Sequence, residues 1–316
     1  MEHVACDLCG SDDSRLIYSL SDTNYGLPGQ FTLVQCRDCD LVYQNPRPSV
    51  TEIASFYPTA RYHPFQTIYS QETAAPTPTH RQRARLLTQQ IGAGKVLDLG
   101  CGNGLFLLAM RELGWRCVGV EPNVAAVQHV RDILQLDVHT GDIFSLEARS
   151  TFDLITLWDV LEHTHAPSNV LQHAHRLLKP TGILALNVPN WNSFERRLFR
   201  ERWIALDAPR HLYHFSPKTI RQLLAKCGFD VKMLRAQAPV LSLASNVLRR
   251  GGDWLLRQGQ AKALVRPASG PDTVSPRRRR LIQLVHLLML PPNAVANALN
   301  RGAGMTVIAQ KREVPR

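Results

Sequence analysis

The stretch Val96-Leu-Asp-Leu-Gly-Cys-Gly-Asn-Gly104 decides how the rest of this chain is read. Val96–Leu99 is a short apolar run carrying one acid, the pattern of a strand buried on both faces of a parallel sheet. Gly100, Gly102 and Gly104 follow at alternate positions, and Leu105–Leu113 has helical patterning. Strand, glycine turn and helix form a nucleotide-binding geometry, because glycines let the backbone approach a ligand and a helix start offers free N–H groups. Glu121 closes a second apolar run, Cys117–Val120, 19 residues after Gly102. An acid at that distance is placed to accept hydrogen bonds from both hydroxyls of a ribose.

The glycine spacing is not that of a dinucleotide fold, which wants Gly-x-Gly-x-x-Gly. Here it is Asp-x-Gly-x-Gly-x-Gly, and Asp98 suits a ligand with a cationic amino-acid end better than a pyrophosphate. The stretch resembles motif I of the class I S-adenosylmethionine (SAM) dependent methyltransferases. That resemblance implies a SAM site in which Asp98, Gly100, Cys101, Gly102 and Gly104 form the loop, with Glu121 and Pro122 on the ribose side. It further implies that Asp142 meets the adenine amino group, that Ile143 packs on the ring, and that Trp158 borders the same cleft.

Outward from this stretch the pattern alternates. Strand 95–100, helix 104–114, strand 116–120, helix 123–135 and strand 137–140 are followed by strand Phe152–Trp158 and helix Asn169–Leu178. The turn Lys179–Gly182 then leads into strand Ile183–Val188, with further strands at Phe229–Gln237 and Met305–Lys311. The expected fold is α/β, a doubly wound, mostly parallel, seven-stranded Rossmann-like sheet. A small zinc ribbon precedes it and a helical insertion interrupts it before the last strand. The divisions are 1–70 for the ribbon and connector, 71–94 for a linker and helix, and 95–316 for the methyltransferase domain with its insertion at 241–303.

The ribbon rests on Cys6-x-x-Cys9 and Cys36-x-x-Cys39, two knuckles whose four thiolates match a closed, structural tetrahedral zinc site. The segment from Cys36 to Pro48, Cys-x-x-Cys-Asp-Leu-Val-Tyr-Gln-Asn-Pro-Arg-Pro, resembles the module ahead of some small-molecule methyltransferases, sugar C-methyltransferases included. Tyr57, Tyr62, His63 and Tyr69 lie between ribbon and core, where they can line the substrate side or serve packing.

Acid–base chemistry has its candidates after the fourth strand of the sheet and in the segment Pro209–Ser216. His163 follows Asp159-Val-Leu-Glu, and His211, Tyr213 and His214 crowd the second segment, where a histidine base and a positioning tyrosine are expected. No Asn/Asp-Pro-Pro-Tyr follows the fourth strand, which argues against methylation of a base amino group.

The net charge of +11 is uneven: residues 249–316 hold 13 Lys/Arg against 3 Asp/Glu. The basicity therefore belongs to the C-terminal segment, where Arg277–Arg280 abuts the apolar run Leu281–Leu290. Such a segment suits an anionic membrane surface, a lid or a dimer contact, and ten apolar residues are too few to span a bilayer. The start of the chain carries no basic-then-apolar signal, and the expectation is a cytoplasmic protein that meets the inner membrane surface peripherally through 241–303.

The function expected is transfer of a methyl group from SAM to an oxygen or carbon of a small-molecule acceptor such as a sugar, sugar nucleotide or lipid-linked intermediate. One rival is an RNA methyltransferase, but residues 1–40 carry only Arg15 and Arg37 against seven acids, which makes a nucleic-acid partner the weaker reading. The other is a SAM-binding partner protein without catalysis. The oligomeric state is left open by the sequence.

Overall fold

In the computed structural model, residues 1–57, 75–146, 151–237, 243, 246–247 and 276–312 are described. Tyr62, His63 and Tyr69, and most of the expected insertion, lie outside the described residues.

The chain begins with three antiparallel strands, β1 (Ser14–Leu20), β2 (Phe31–Cys36) and β3 (Val42–Gln44). A single 3-10 turn, Ile53–Phe56, follows β3. Helix α1 (Pro78–Ile91) then starts cleanly, with Thr77 accepting from the His80 N–H and proline in the first turn.

The second sheet follows the expected alternation closely. It contains β4 (Lys95–Leu99), β5 (Arg116–Glu121), β6 (Asp137–Thr140), β7 (Phe152–Trp158) and β8 (Leu178–Pro189). Helices α2 (Leu105–Glu112), α3 (Val124–Leu134) and α4 (Pro167–Leu177) connect them. The two-residue strand β9 (Tyr213–His214) comes next in the chain, then β10 (Phe229–Gln237) and β11 (Gly304–Lys311). Helices α5 (Phe194–Phe199) and α6 (Pro217–Lys226) lie between β8 and β10, and α7 (Pro276–Ala298) precedes β11.

The seven-stranded sheet has the order β10-β11-β8-β7-β4-β5-β6. All neighbours are parallel except for β11, which runs antiparallel to both β10 and β8. The chain moves outward from β4 through β5 to β6, then jumps to β7 and β8 on the other side. That reversal opens a crevice at the carboxyl ends of β4 and β7, the place where ligands bind in open α/β sheets.

One local expectation is corrected. The turn Lys179–Gly182 is absorbed into β8: Leu178 already pairs with Phe152, and a register shift lets the extra residues loop out before Ile183 pairs with Leu154. Helix α7 runs through Pro291 and Pro292. Asn293 and Ala296 beyond them are buried, at 4% and 7% exposure, and this end of the helix packs against β10. Tertiary packing outweighs the proline penalty there.

The ribbon shares its structure with the larger unit. β9 pairs antiparallel with β3, Val42 opposite His214 and Tyr43 opposite Tyr213, so the ribbon sheet has four strands in the order β1-β2-β3-β9. One hydrophobic core includes Leu41 and Tyr43 of the ribbon together with Leu157, Val188 and Phe215. A second joins Leu20, Phe31 and Leu33 to Trp191, Trp203 and Leu206.

Candidate active site

At the carboxyl end of β4 the chain turns through Gly100, Gly102 and Gly104, all at positive φ, between 53° and 71°. A side chain at Gly100 or Gly104 would collide with Val160 or Val130, whereas at Gly102 a Cβ would meet nothing within 4 Å. The open side of the loop is therefore at Gly102. Its N–H donates to Glu121 Oε2 and the Asn123 N–H donates to Glu121 Oε1, both at 3.0 Å. Each carboxylate oxygen keeps a second lone pair, which is what a ribose diol needs. Burial raises the Glu121 pKa, and the two N–H groups oppose that rise.

Asp98 is buried on β4 beside Thr156 of β7, whose hydroxyl donates to Asp98 Oδ1 at 2.5 Å. Burial pushes its pKa up to about 7, against the pull of Thr156 and of Arg83. A carboxyl this costly to bury as an anion is set to accept a cationic ligand group. Arg83 comes from α1, and nothing in the sequence pattern singled it out. Its guanidinium carbon lies 4.3 Å from the Trp158 ring centre, and it approaches Asp159 at 4.0 Å. Trp158 also meets Phe106 edge-on, at 5.2 Å between centroids.

The remaining expected cofactor residues are placed as follows. Cys101 turns inward, its sulfur filling the space above Gly119, and donates its N–H to Val120 O, so only its backbone borders the loop. Pro122 is exposed just past Glu121. Asp142 caps the turn Ile143–Ser145 through its Oδ1, and Ile143 is buried in the main core.

One strand over, the segment after β7 builds a second polar group. Asp159 turns the chain at φ 58°, and Leu161–His163 form a single 3-10 turn. One donor atom each of Glu162, His163 and His211 lies within 4.8 Å of the others, and the two imidazoles meet edge-on with centroids 4.5 Å apart. His163 Nδ1 lies 3.1 Å from both the Arg210 carbonyl and the Tyr57 hydroxyl, and His211 Nδ1 lies 2.9 Å from the Ala205 carbonyl. A carbonyl only accepts, so both Nδ1 atoms carry hydrogen, and in the His163 ring, which burial keeps uncharged, Nε2 keeps its lone pair. Burial, reinforced by His211, lowers the His163 pKa to about 3. Glu162 is fully buried, and burial with the neighbouring Asp159 charge pushes its pKa well above the carboxylate range.

Neither Glu162 carboxyl oxygen has a hydrogen-bond partner among the described residues, and neither does either ring nitrogen of His214 or the Gln44 side-chain amide. Buried polar groups without protein partners mark a place where ligand or water completes the hydrogen bonding. The trio of one carboxylate and two imidazoles can serve as proton acceptors or hold a divalent cation.

The other expected catalytic residues sit behind this trio. His214 is buried, 6.3 Å from His211 between ring centres, with its pKa lowered to about 3 by burial and by His211. The Tyr213 hydroxyl is taken up by Arg47 at 2.9 Å and by the His165 carbonyl at 3.2 Å, which turns it away from the trio. The loop carrying His211 is held by a network the sequence did not reveal. Arg210 donates to Asp22 of the ribbon and to Asp207, at 2.7 and 2.8 Å, with Arg210 and Asp22 fully buried. Asp207 would be raised by burial but is held below its usual range by His211 and Arg210.

At the ribbon end, Sγ of Cys6 lies 3.4 Å from that of Cys39, and Sγ of Cys9 lies 3.4 Å from that of Cys36. All four sulfurs fall within 4.8 Å of one another as free thiols. A tetrahedron with metal–sulfur bonds of about 2.3 Å has edges of about 3.8 Å, so the donor set fits a zinc ion.

A family model described as a methyltransferase domain matches residues 71–233. The chain belongs to that family. Among curated proteins, this methyltransferase chain is 26% identical over 151 residues to the ubiquinone biosynthesis O-methyltransferase of Bradyrhizobium diazoefficiens, covering 46% of this chain and 60% of that protein. The same enzyme of Xanthomonas oryzae pv. oryzae is 30% identical over 134 residues, 40% of this chain and 56% of that protein. The chain thus spans less than two thirds of the length of these relatives. Among solved structures, the 4+2 cyclase SpnF superposes with a TM-score of 0.53 at 14% identity, over 85% of this chain and 98% of that one. That likeness shows the fold alone, and the neighbour's name gives a cyclase, so the fold by itself does not specify the reaction.

Proposed function

We propose that this chain is a SAM-dependent methyltransferase acting on an oxygen of a small-molecule acceptor. The observation that supports it most is the adjacency, across β4 and β7, of the Asp98–Gly102–Glu121 cradle and the buried Glu162–His163–His211 trio. When bound, SAM supplies a methyl group already activated on a sulfonium. The chain's own residues then have three tasks. Asp98 takes up the amino-acid end, Glu121 accepts from the ribose hydroxyls, and Asp142 with Ile143 and Trp158 borders the base. Closure of the ribbon over the loop at His211 excludes water from the acceptor. In its ionised form Glu162 takes the proton of the acceptor hydroxyl, and burial, which favours the protonated carboxyl, makes that form a stronger base than an exposed carboxylate. His163, with a lone pair on Nε2, and His211 orient the acceptor.

Oxygen is preferred over carbon because the curated relatives are named as O-methyltransferases. We assign a structural zinc ion to Cys6, Cys9, Cys36 and Cys39, with no open position for chemistry. The ribbon at 1–70 and the domain at 95–316 are proposed as one working unit, since β3 and β9 share a sheet.

The test uses purified full-length protein, methyl-labelled SAM and a panel of catechols, phenols and nucleotide sugars. Label transfer to a hydroxyl, lost in Glu162→Gln while SAM still binds, supports the reading. SAM binding with no transfer to any acceptor class favours the non-catalytic partner, and no SAM binding at all removes the cofactor assignment.

A further inference from the structure

Helix α7 has no role in the site described above. Its C-terminal end is fixed to the domain by buried Asn293 and Ala296, yet Leu284, Leu287 and Leu288 are 52%, 64% and 58% exposed. Their spacing of three and four puts them on one helical face, and Val295, at 58% exposure, extends that face by two turns. A stripe of this kind on a folded domain calls for a covering partner.

Charge selects the partner. Arg277–Arg280 precede the stripe on the same helix, and no Asp or Glu occurs anywhere from Pro276 to Arg312. In a symmetric pairing of two α7 helices, each arginine run would face a segment without an acid, leaving the cations unmatched. An anionic bilayer surface supplies both needs, acyl chains for the leucines and headgroup charge for the arginines. No helix among the described residues is long and apolar enough to cross a membrane, so contact is confined to the interface. We infer that α7 lies along an anionic lipid surface through the Leu284–Leu287–Leu288 stripe and the Arg277–Arg280 run. The site reading does not depend on this contact.

Vesicle flotation of the full chain tests it, with phosphatidylglycerol/phosphatidylcholine vesicles against pure phosphatidylcholine. Expected is flotation with the anionic vesicles alone, lost at high salt because the Debye length shrinks to about 3 Å at 1 M. Arg278→Gln with Arg279→Gln should weaken partitioning by about fivefold per charge removed. Leu287→Asp with Leu288→Asp should abolish flotation. Unchanged SAM affinity in both double variants shows that they are folded and separates this proposal from the assignment of the cofactor. Equal flotation on neutral vesicles, or unchanged flotation in the double variants, overturns the inference. So does a leucine variant that only converts a dimer to a monomer in light scattering.

Discussion

The two halves of the candidate site are built in opposite ways. The cofactor half is local: Asp98, Gly102 and Glu121 lie within 24 consecutive residues, and the Glu121 carboxylate already has two N–H partners. The acceptor half is assembled from the ribbon, the turn after β7 and the loop before α6, and it leaves the side-chain polar atoms of Glu162 and His214 without a hydrogen-bond partner among the described residues. A cradle used for a constant cofactor can be finished in advance. A chamber that must hold a variable acceptor and move a proton keeps some of its hydrogen bonding open.

Breaking the acceptor half should give the largest effect. Glu162→Gln keeps shape and removes the base, so kcat should fall by about 10²- to 10⁴-fold with SAM affinity unchanged. A loss of SAM binding instead would erase the distinction between the halves. Breaking the cofactor half should show the reverse pattern. Asp98→Ala and Glu121→Ala should each weaken SAM binding by about tenfold to a hundredfold in calorimetry, by loss of charge-assisted contacts of about 1.5–3 kcal/mol each. Retained affinity in both would falsify the cofactor assignment.

The acceptor half is itself held together by the Asp22–Arg210–Asp207 network, which ties the ribbon to the loop before α6. Arg210→Met leaves Asp22 as an unpaired buried charge, at a cost of about 3–5 kcal/mol. The thermal midpoint should drop accordingly, and the acceptor KM should rise more than the dissociation constant of SAM. An equal loss in both would mean the network serves stability alone.

The mildest test is pH. Asp98 titrates near 7 in the free protein, and a cationic ligand group binds its ionised form. The proton must leave on binding, so SAM affinity should rise about tenfold per pH unit below pH 7 and level off above it. In Asp98→Asn the slope should vanish.

The same contrast explains what could be read from the chain. Gly100–Gly104, Asp98 and Glu121 were legible because a strand, a turn and a helix in succession fix their relation within a few residues. A mostly parallel, seven-stranded sheet also followed from the alternation of elements, but its strand order did not. The sequence pattern points to His163 rather than Glu162, because Glu162 is enclosed by contacts such as that with Leu212, whose N–H donates to the Glu162 carbonyl from a loop far along the chain. Arg83 looked like one more cation on a basic helix, and only packing against Trp158 distinguishes it. His214 and Tyr213 stand out in the sequence only by the density of polar aromatic residues there, and the fold places both side chains in buried positions next to β3.

The contact between Asp22 and Arg210 joins residues 188 apart in sequence. Contacts of that range form late, since a long loop must close before they contribute, and the two-residue strand β9 adds little to hold the closure. The nucleotide fold can therefore be complete while the ribbon is still open. Warming, or chelation of the zinc proposed at the four cysteines, should then silence the proposed transfer before it impairs cofactor capture, leaving a chain that holds SAM without using it.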